Sequence, residues 1–142
     1  NNQIYGTAIH ETLKDFFNSL KERLTDKSFL KVKFSNYLNK HYLTKEDYKK
    51  LKDKGEKDLT NYYNYYKNSW IINTIPEFNI NGIILSPEIH LSGKIDKIEF
   101  LNEKEVNVVD YKTSKPKSRN EIEGKTKNSN GNIKRQLIFY NI

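Results

Sequence analysis

Residues 93–113, GKIDKIEFLNEKEVNVVDYKT, contain two runs of Ile, Val and Phe on either side of a polar centre. β-branched and aromatic residues favour strands, and Asn102-Glu103-Lys104 has the length and polarity of a hairpin loop. The pattern therefore predicts two antiparallel strands, at residues 95–100 and 106–112. If the hairpin is symmetric about Glu103, three cross-strand pairs follow: Phe100 with Val106, Ile98 with Val108, and Asp96 with Asp110.

This register brings two carboxylates to cross-strand distance, about 4.5–5.5 Å between their Cβ atoms. Like charges so close are unfavourable unless a cation lies between them, and a divalent metal is the simplest such cation. Because side chains alternate along a strand, Lys112 projects to the face of Asp110, whereas Tyr111 points away. Asp96, Asp110 and Lys112 form the minimum set for cutting a phosphodiester bond with a bound metal. The alternative is a surface hairpin with solvated acids.

The N-terminal segment is predicted to be a helix from Thr7, as N-cap, through Leu24. Its apolar residues recur at helical spacing: Ile9, Leu13, Phe16, Phe17, Leu20 and Leu24. His10 lies just beyond the edge of this apolar arc, where packing can fix its ring while one nitrogen reaches a cleft. An ordinary boundary histidine is the alternative reading of this residue.

Near the end of the chain, Gln136 and Tyr140 are four residues apart. Residues at this spacing share one face of a helix, so the two side chains can project into one cleft. A core tyrosine beside a solvated glutamine is an equally open interpretation of the pair taken alone.

The region between these segments is mostly helical by pattern. Phe29, Leu30, Phe34, Tyr37 and Leu38 indicate a second helix. Thr44-Lys45-Glu46-Asp47 resembles a capping box that opens a third helix, which we expect Gly55 to interrupt.

An aromatic stripe follows in the stretch after Gly55, formed by Leu59, Tyr62, Tyr63, Tyr66 and Trp70. These residues fit a core face better than a base-stacking platform, and Tyr65, off the stripe, is the better candidate for stacking. Residues 78–91 alternate in Ile and Leu, with Asn81-Gly82 as a turn signal, and predict one or two strands leading into Gly93.

Four short motifs together resemble a known family. Gly93-x-x-Asp96 followed by Asp110-Tyr111-Lys112-Thr113 resembles the nuclease module of the RecB-like branch of the PD-(D/E)xK superfamily, found at the C-terminus of UvrD-like helicase-nucleases. Gly6-x-x-x-His10 and Gln136-x-x-x-Tyr140 match two further motifs of that branch. All four occur in the family's order across residues 6–140, so the resemblance covers nearly the whole chain.

The resemblance implies an α/β restriction-endonuclease-like fold: a helical N-terminal region, a central mixed sheet whose hairpin holds the active site, and a C-terminal helix beside it. It implies that His10, Asp96 and Asp110 hold Mg²⁺ or Mn²⁺, with the Tyr111 carbonyl as a further ligand. Lys112 would orient or deprotonate the attacking water, or neutralise the transition state. Gln136 and Tyr140 would position DNA or support Lys112.

Family members often carry a glutamate near the metal site, upstream of the hairpin. Glu77 and Glu88 both compete for that place, and their spacing does not decide between them. Either residue could equally be a surface acid.

The expected function is therefore that of a metal-dependent deoxyribonuclease, acting on DNA as part of a helicase-nuclease in repair or recombination. We expect a helicase or ATPase domain in the same polypeptide. A catalytically inactive, nuclease-like DNA-binding or scaffolding module is the alternative. A stand-alone CRISPR-adaptation nuclease is disfavoured because the chain lacks cysteine.

Composition agrees with a polyanionic partner. The 142 residues suffice for one domain with a real core, and their net charge is +7. Residues 112–127 hold six Lys or Arg against two Glu, so this basic segment could follow a phosphate backbone. A solvated loop is the alternative, above all at residues 125–131.

The absence of cysteine excludes disulfides, thiol catalysis and a cysteine-ligated iron–sulfur cluster in this chain. No apolar run approaches the roughly 18 residues that span a membrane, and no signal peptide is apparent, so a cytoplasmic setting is expected. Because the chain begins without Met and stops soon after Tyr140, we expect it to be a single nuclease domain, residues 1–142, from a longer polypeptide.

Overall fold

The computed structural model describes residues 1–22 and 25–140, in which helices precede a small sheet. In chain order the described elements are α1 (Asn2–Glu22), α2 (Lys27–Leu38), α3 (Lys45–Tyr66), β1 (Thr74–Ser86), β2 (Ile89–Phe100), β3 (Val106–Val109), α4 (Arg119–Ile122) and α5 (Asn132–Phe139). The predicted α/β class with a helical N-terminal region is confirmed.

The apolar core lies among the first three helices. Its buried residues come from all three: Tyr5, Ala8, Ile9, Leu13, Phe16 and Phe17 of α1, Leu30, Phe34 and Leu38 of α2, and Leu51 and Leu59 of α3. The helical periodicity of the sequence predicts this clustering, since each helix has one apolar face to bury. Asp26 and Thr44 cap α2 and α3, each with its side chain accepting backbone N–H bonds in the first turn.

Two helix predictions are wrong. The first helix begins at Asn2, so Thr7 lies inside it and is not its N-cap; the Asn1 carbonyl accepts the Tyr5 N–H at 3.0 Å. Gly55 does not interrupt the third helix, which runs from Lys45 to Tyr66. A Cβ atom at Gly55 would lie 2.1 Å from Cε1 of Phe34, so this glycine permits close packing of α3 on α2. The predicted end of the first helix at Leu24 falls outside the described residues.

The sheet has the strand order β1-β2-β3. In the hairpin, Phe100 pairs with Val106 and Ile98 with Val108, which confirms two of the three predicted cross-strand pairs. The third, Asp96 with Asp110, lies beyond the paired part of the hairpin, which ends at Val109. Every strand pair among the described residues is antiparallel, so the mixed sheet expected from the sequence is not seen in this part of the chain.

Three details of the sheet differ from prediction. The last strand ends at Val109 rather than at residue 112. Asn81-Gly82 does not form the turn but lies within β1, where the register with β2 shifts between Ile80 and Ile83. The chain instead reverses at Pro87-Glu88, between the ends of β1 and β2.

The sheet meets the helices through one face of β2. Ile95 and Lys97 are buried there, 6% and 3% exposed, and Lys97 Nζ lies 3.8 Å from the centroid of the Phe17 ring. Because side chains alternate along a strand, Asp96 belongs to the opposite face. Within the described part of the chain, no helix has the length and apolar character needed to cross a membrane.

Candidate active site

One cluster of polar groups forms where α1 meets β2. His10 Nδ1 lies 3.1 Å from Asp96 Oδ1, and the backbone N–H of Tyr111 donates to Asp96 Oδ2 at 2.7 Å. His10 and Asp96 are 86 residues apart, and the packing of α1 against the sheet brings them together. Both oxygens of the Asp96 carboxylate are thus engaged.

A second cluster forms around Asp110. Its Oδ1 accepts hydrogen bonds from Gln136 Nε2 at 2.8 Å and from the Tyr140 hydroxyl at 3.2 Å. Lys112 Nζ lies 2.6 Å from the other oxygen, Oδ2, and donates to Gln136 Oε1 at 3.0 Å. Gln136 Nε2 also lies 2.6 Å from the Tyr140 hydroxyl. Four residues singled out in the sequence therefore form one closed network.

The early end of β3 explains this placement. The Tyr111 N–H bonds to the Asp96 side chain, so the chain leaves the hydrogen-bonding path of the strand just after Val109. Asp110 and Lys112 then face α5 together. The Tyr111 ring packs against the helical core and makes edge contacts with the rings of His10 and Tyr62 at centroid distances of 5.9 and 6.2 Å.

Two motif glycines lie at close contacts that hold these elements together. A Cβ atom at Gly93 would lie 3.2 Å from Cε1 of Phe139, so β2 and α5 approach closely there. A Cβ atom at Gly6 would lie 3.3 Å from Oγ1 of Thr113, which joins α1 to the segment after Lys112. Each glycine thus borders an element that carries site residues.

The first cluster favours opposite charges on its two side chains. The hydrogen bond with Asp96 is the main cause that raises the pKa of His10, and it outweighs the opposing effect of burial. Burial would by itself raise the pKa of Asp96, but hydrogen bonds from His10 and the Tyr111 amide outweigh it and hold this pKa below its ordinary value.

In the second cluster, burial and the neighbouring Asp110 charge raise the pKa of Tyr140. The Tyr140 phenol therefore stays protonated at neutral pH and can donate to the Asp110 carboxylate. Burial likewise raises the pKa of Tyr111, whose ring takes part in packing.

Glu77 is a site feature that the sequence alone leaves undecided. It lines a small pocket with His10 and Asp96, and its carboxylate lies 3.1 Å from both Lys14 Nζ and Lys94 Nζ. Its φ angle is +60°, a conformation that is uncommon outside glycine and that clusters at functional sites. Glu88, the competing residue, is exposed at the β1–β2 turn.

The lysines beside Glu77 were not singled out from the sequence. Lys14 lies one helical turn after His10, and Lys94 lies two residues before Asp96 on the same strand face. That spacing was the available signal, but lysines are common throughout this chain and spacing alone does not distinguish these two.

The predicted metal ligands are only partly brought together. His10 and Asp96 are in contact, whereas Asp110 is held by Lys112, Gln136 and Tyr140. Across residues 1–22 and 25–140, no group of three or more His, Asp or Glu side chains is arranged to hold a metal ion. The donor types do fit, since carboxylate oxygens suit Mg²⁺ and Mn²⁺, and histidine is a common metal ligand.

Several basic side chains of residues 112–127 are paired with carboxylates of the same segment. Lys117 lies 3.6 Å from Glu121, Arg119 lies 2.8 Å from Glu123, and Lys125 also pairs with Glu123. Ser118 caps the short helix α4 through a capping box with Glu121. Among the described residues, Lys115 has no carboxylate within ion-pair distance.

A family model, the PD-(D/E)XK nuclease superfamily, matches residues 1–142, the entire chain. The protein therefore belongs to the PD-(D/E)XK nuclease superfamily, whose members are nucleases and generally use divalent metals. The helix-rich N-terminus followed by an antiparallel sheet with flanking helices agrees with the α/β fold of that superfamily. No curated protein and no solved structure matches the chain.

Proposed function

We propose that this protein is a divalent-metal-dependent deoxyribonuclease that hydrolyses phosphodiester bonds in DNA. The single observation that carries the proposal is the closed network of Asp110, Lys112, Gln136 and Tyr140 beside the His10–Asp96 pair. Membership in a nuclease superfamily supports the same activity.

In this proposal His10, Asp96 and Asp110 hold Mg²⁺ or Mn²⁺, and the Tyr111 carbonyl contributes a further oxygen. When bound, the metal lowers the pKa of a water and stabilises negative charge on the phosphate. Tyr111 ties the ligands together, because its N–H fixes Asp96 while its position in the chain adjoins Asp110. Asp110 would give up part of its hydrogen bonding with Lys112, Gln136 and Tyr140 in order to hold the metal.

Lys112 supplies a positive charge at the reacting phosphate. Its Nζ is positioned by Asp110 and Gln136, and its side chain is 49% exposed, so a phosphate oxygen or an attacking water can reach it. Gln136 and Tyr140 act as positioning residues: both bind Asp110, and Gln136 also binds Lys112.

We further propose that Glu77, rather than Glu88, is the acid that joins the site from the region before the hairpin. Its place beside His10 and Asp96 and its left-handed backbone support this assignment. Lys14 and Lys94 balance its charge and hold the pKa of the Glu77 carboxyl below its ordinary value, against the opposing effect of burial.

The order of the four motifs supports placement in the RecB-like branch, as the nuclease module of a helicase-nuclease in DNA repair or recombination. We propose that a helicase or ATPase domain belongs to the same polypeptide, of which residues 1–142 are one nuclease domain, and that the protein acts in the cytoplasm without an iron–sulfur cluster.

A nuclease assay tests the activity. End-labelled single- and double-stranded DNA is incubated with the protein in Mg²⁺, Mn²⁺ or EDTA. We expect cleavage that requires a metal, is lost in Asp110→Asn, and is kept in Asp53→Asn, an exposed aspartate of α3. Cleavage that persists in EDTA, or equally in Asp110→Asn, would contradict the proposed site.

A catalytically inactive DNA-binding module is the second candidate. The observation that favours it is the lack of a three-ligand metal group among the described residues. DNA binding by wild-type protein without cleavage in either metal would establish this function instead.

A further inference from the structure

A cavity of about 720 Å³ lies between helices α1 and α3 and the face of β2 and β3 that carries Lys97. Asp110 and Lys112 line one side of it, so the cavity adjoins the candidate active site directly. Its volume is within the range of about 300–1,000 Å³ that is typical of small-molecule sites.

Aromatic rings form one wall of the cavity. Tyr62, Tyr66 and Trp70 line it, with centroids 4.9 Å apart for Tyr62 and Tyr66 and 5.6 Å apart for Tyr62 and Trp70. The rings of Phe16 and Phe17 pack against Trp70 at 5.5 and 5.4 Å and fix its position. Tyr66 is 43% exposed, so its ring has surface left for a ligand.

Polar groups face the cavity from the sheet. Lys97 Nζ lies 2.6 Å from Glu99 Oε1, and Glu99 Oε2 accepts a hydrogen bond from Asn107 at 2.7 Å. Burial lowers the pKa of Lys97, against the opposing effect of Glu99, so this ion pair is a costly feature for a core to keep. Such donors and acceptors beside aromatic rings suit a flat heterocycle with a polar edge.

Lysines slightly outnumber acids among the cavity-lining residues: Lys54, Lys97, Lys112 and Lys115 against Asp58, Glu99 and Asp110. The whole chain carries a net charge of +7. Phosphates on either side of a bound heterocycle would meet Lys112 and Lys115. Aromatic rings, hydrogen-bonding groups and lysines together match a nucleotide of a DNA strand.

We propose that this cavity binds one unstacked base of single-stranded DNA, next to the phosphate presented to Asp110 and Lys112. The inference rests on the proposed function and adds its substrate class. A base paired within a duplex would first have to leave the stack, at a cost of a few kcal/mol, whereas a base in a single strand can stack on Tyr66 and Trp70 at little cost. Tyr65, 80% exposed, does not line the cavity and takes no part.

Trp70 is the only tryptophan of the chain, so its fluorescence reports directly on the cavity. The protein is titrated in EDTA with a single-stranded oligothymidylate, with an oligonucleotide of the same length in which every site is abasic, and with a blunt duplex. We expect saturable quenching by oligothymidylate. The abasic strand carries the same phosphates but should bind roughly 5- to 150-fold more weakly, corresponding to ~1–3 kcal/mol of stacking.

Tyr66→Ala should weaken oligothymidylate binding to a similar extent, whereas Tyr65→Ala, its neighbour outside the cavity, should bind as the wild type does. Circular dichroism verifies that both variants are folded. If Tyr66→Ala does not fold, the abasic comparison on wild-type protein decides the matter by itself. Equal binding of abasic and normal strands, or binding of the duplex as tight as that of the single strand, would overturn the inference.

The cleavage assay and the fluorescence titration test two different proposals, and their outcomes can differ. Base-dependent quenching without metal-dependent cleavage would support base binding in the cavity and contradict the proposed nuclease activity. Metal-dependent cleavage without base-dependent quenching would support the nuclease activity and contradict base binding in the cavity.

Discussion

Gln136 Nε2 donates a hydrogen bond of 2.8 Å to Asp110 Oδ1, although the two residues are 26 positions apart. The same side-chain amide accepts a hydrogen bond from Lys112 through its oxygen. The Gln136 amide therefore fixes the distance between Asp110 and Lys112, because it donates a hydrogen bond to the first and accepts one from the second. Helix α5, which carries Gln136, is in this way tied to the end of β3.

The double role of Gln136 predicts an effect of Gln136→Glu. The substitution replaces the donor to Asp110 with a second carboxylate, while an acceptor for Lys112 remains. We expect a cleavage rate roughly 10- to 100-fold lower, since hydrogen bonds to charged groups contribute about 1.5–3 kcal/mol. Asn128→Asp adds the same charge at an exposed position and should cleave normally. Single-turnover rates measure both, and equal rates would contradict the positioning role.

Lys112 is expected to act in chemistry rather than in metal capture. Lys112→Ala should lower the cleavage rate about 10²–10⁴-fold, the usual contribution of a positioned group in proton transfer, while metal affinity measured by calorimetry stays unchanged. Asp110→Ala should lose both cleavage and metal binding. Lys112→Arg keeps a charge but replaces the compact ammonium with a planar fork, so rescue by arginine would indicate electrostatic stabilisation. Lys49→Ala, at an exposed lysine of α3, is the control, and wild-type cleavage by Lys112→Ala would remove Lys112 from the mechanism.

Lys115 should contribute more to DNA binding than its basic neighbours. Neutralising Lys115, Lys117 and Arg119 together should weaken binding and flatten its salt dependence, because fewer counterions are released. Among single variants, Lys115→Gln should have the largest effect, since Lys117 and Arg119 are already paired with Glu121 and Glu123. Binding isotherms at several salt concentrations measure this slope. Equal slopes for wild type and triple variant would leave the segment a solvated loop.

The His10–Asp96 pair should stabilise the metal-free fold in a defined pH window. The raised pKa of His10 means that its contribution is complete below the ordinary value of 6.5 and is lost as the pH rises through the raised value. The lowered pKa of Asp96 means that its contribution is present above 3.8 and is lost as the pH falls through the lowered value.

We therefore expect His10→Asn to lower the free energy of unfolding more at about pH 5 than at about pH 9. Urea denaturation in EDTA measures this difference. His41→Asn, the same substitution at an exposed histidine, is the matched control. An equal loss for His10→Asn at both pH values would mean that packing, not the ion pair, is what this histidine contributes.

Gly55→Ala should destabilise the helical core by about 1–3 kcal/mol, the usual cost of overpacking. The added methyl group would meet the Phe34 ring, which is fully buried. Asp53→Ala, on the exposed side of the same helix, should have little effect. Phe34→Leu should offset part of the Gly55→Ala loss, so that the double variant is more stable than additivity predicts. Additive losses in urea denaturation would contradict the contact.

The parts of the fold that follow from local pattern are predictable from the sequence. Apolar periodicity marks the helical faces, and the polar centre at Glu103 sets the hairpin register. The errors concern residues whose conformation depends on distant partners. Gly55 looks like a helix breaker until Phe34 is placed beside it, and the end of β3 depends on a bond to a side chain of β2.

The candidate site is likewise predictable from local sequence pattern only in part. The spacing of Gln136 and Tyr140 places them on one helix face, but no local pattern shows that both reach Asp110. Glu77 could not be chosen over Glu88 because its left-handed backbone and its contacts with Lys14 and Lys94 arise only in the folded chain. The relation of the aromatic stripe to a cavity likewise requires the sheet to be placed opposite it.

The hydrogen bond from the Tyr111 amide to Asp96 gives the site a built-in spectroscopic reporter. An amide proton shared with a carboxylate changes its chemical shift when that carboxylate is protonated or gives up electron density to another partner. Nuclear magnetic resonance of ¹⁵N-labelled protein would then follow Asp96 through a backbone signal, without any substitution in the site. The same amide should exchange slowly with solvent while the carboxylate holds it and faster once that bond is released.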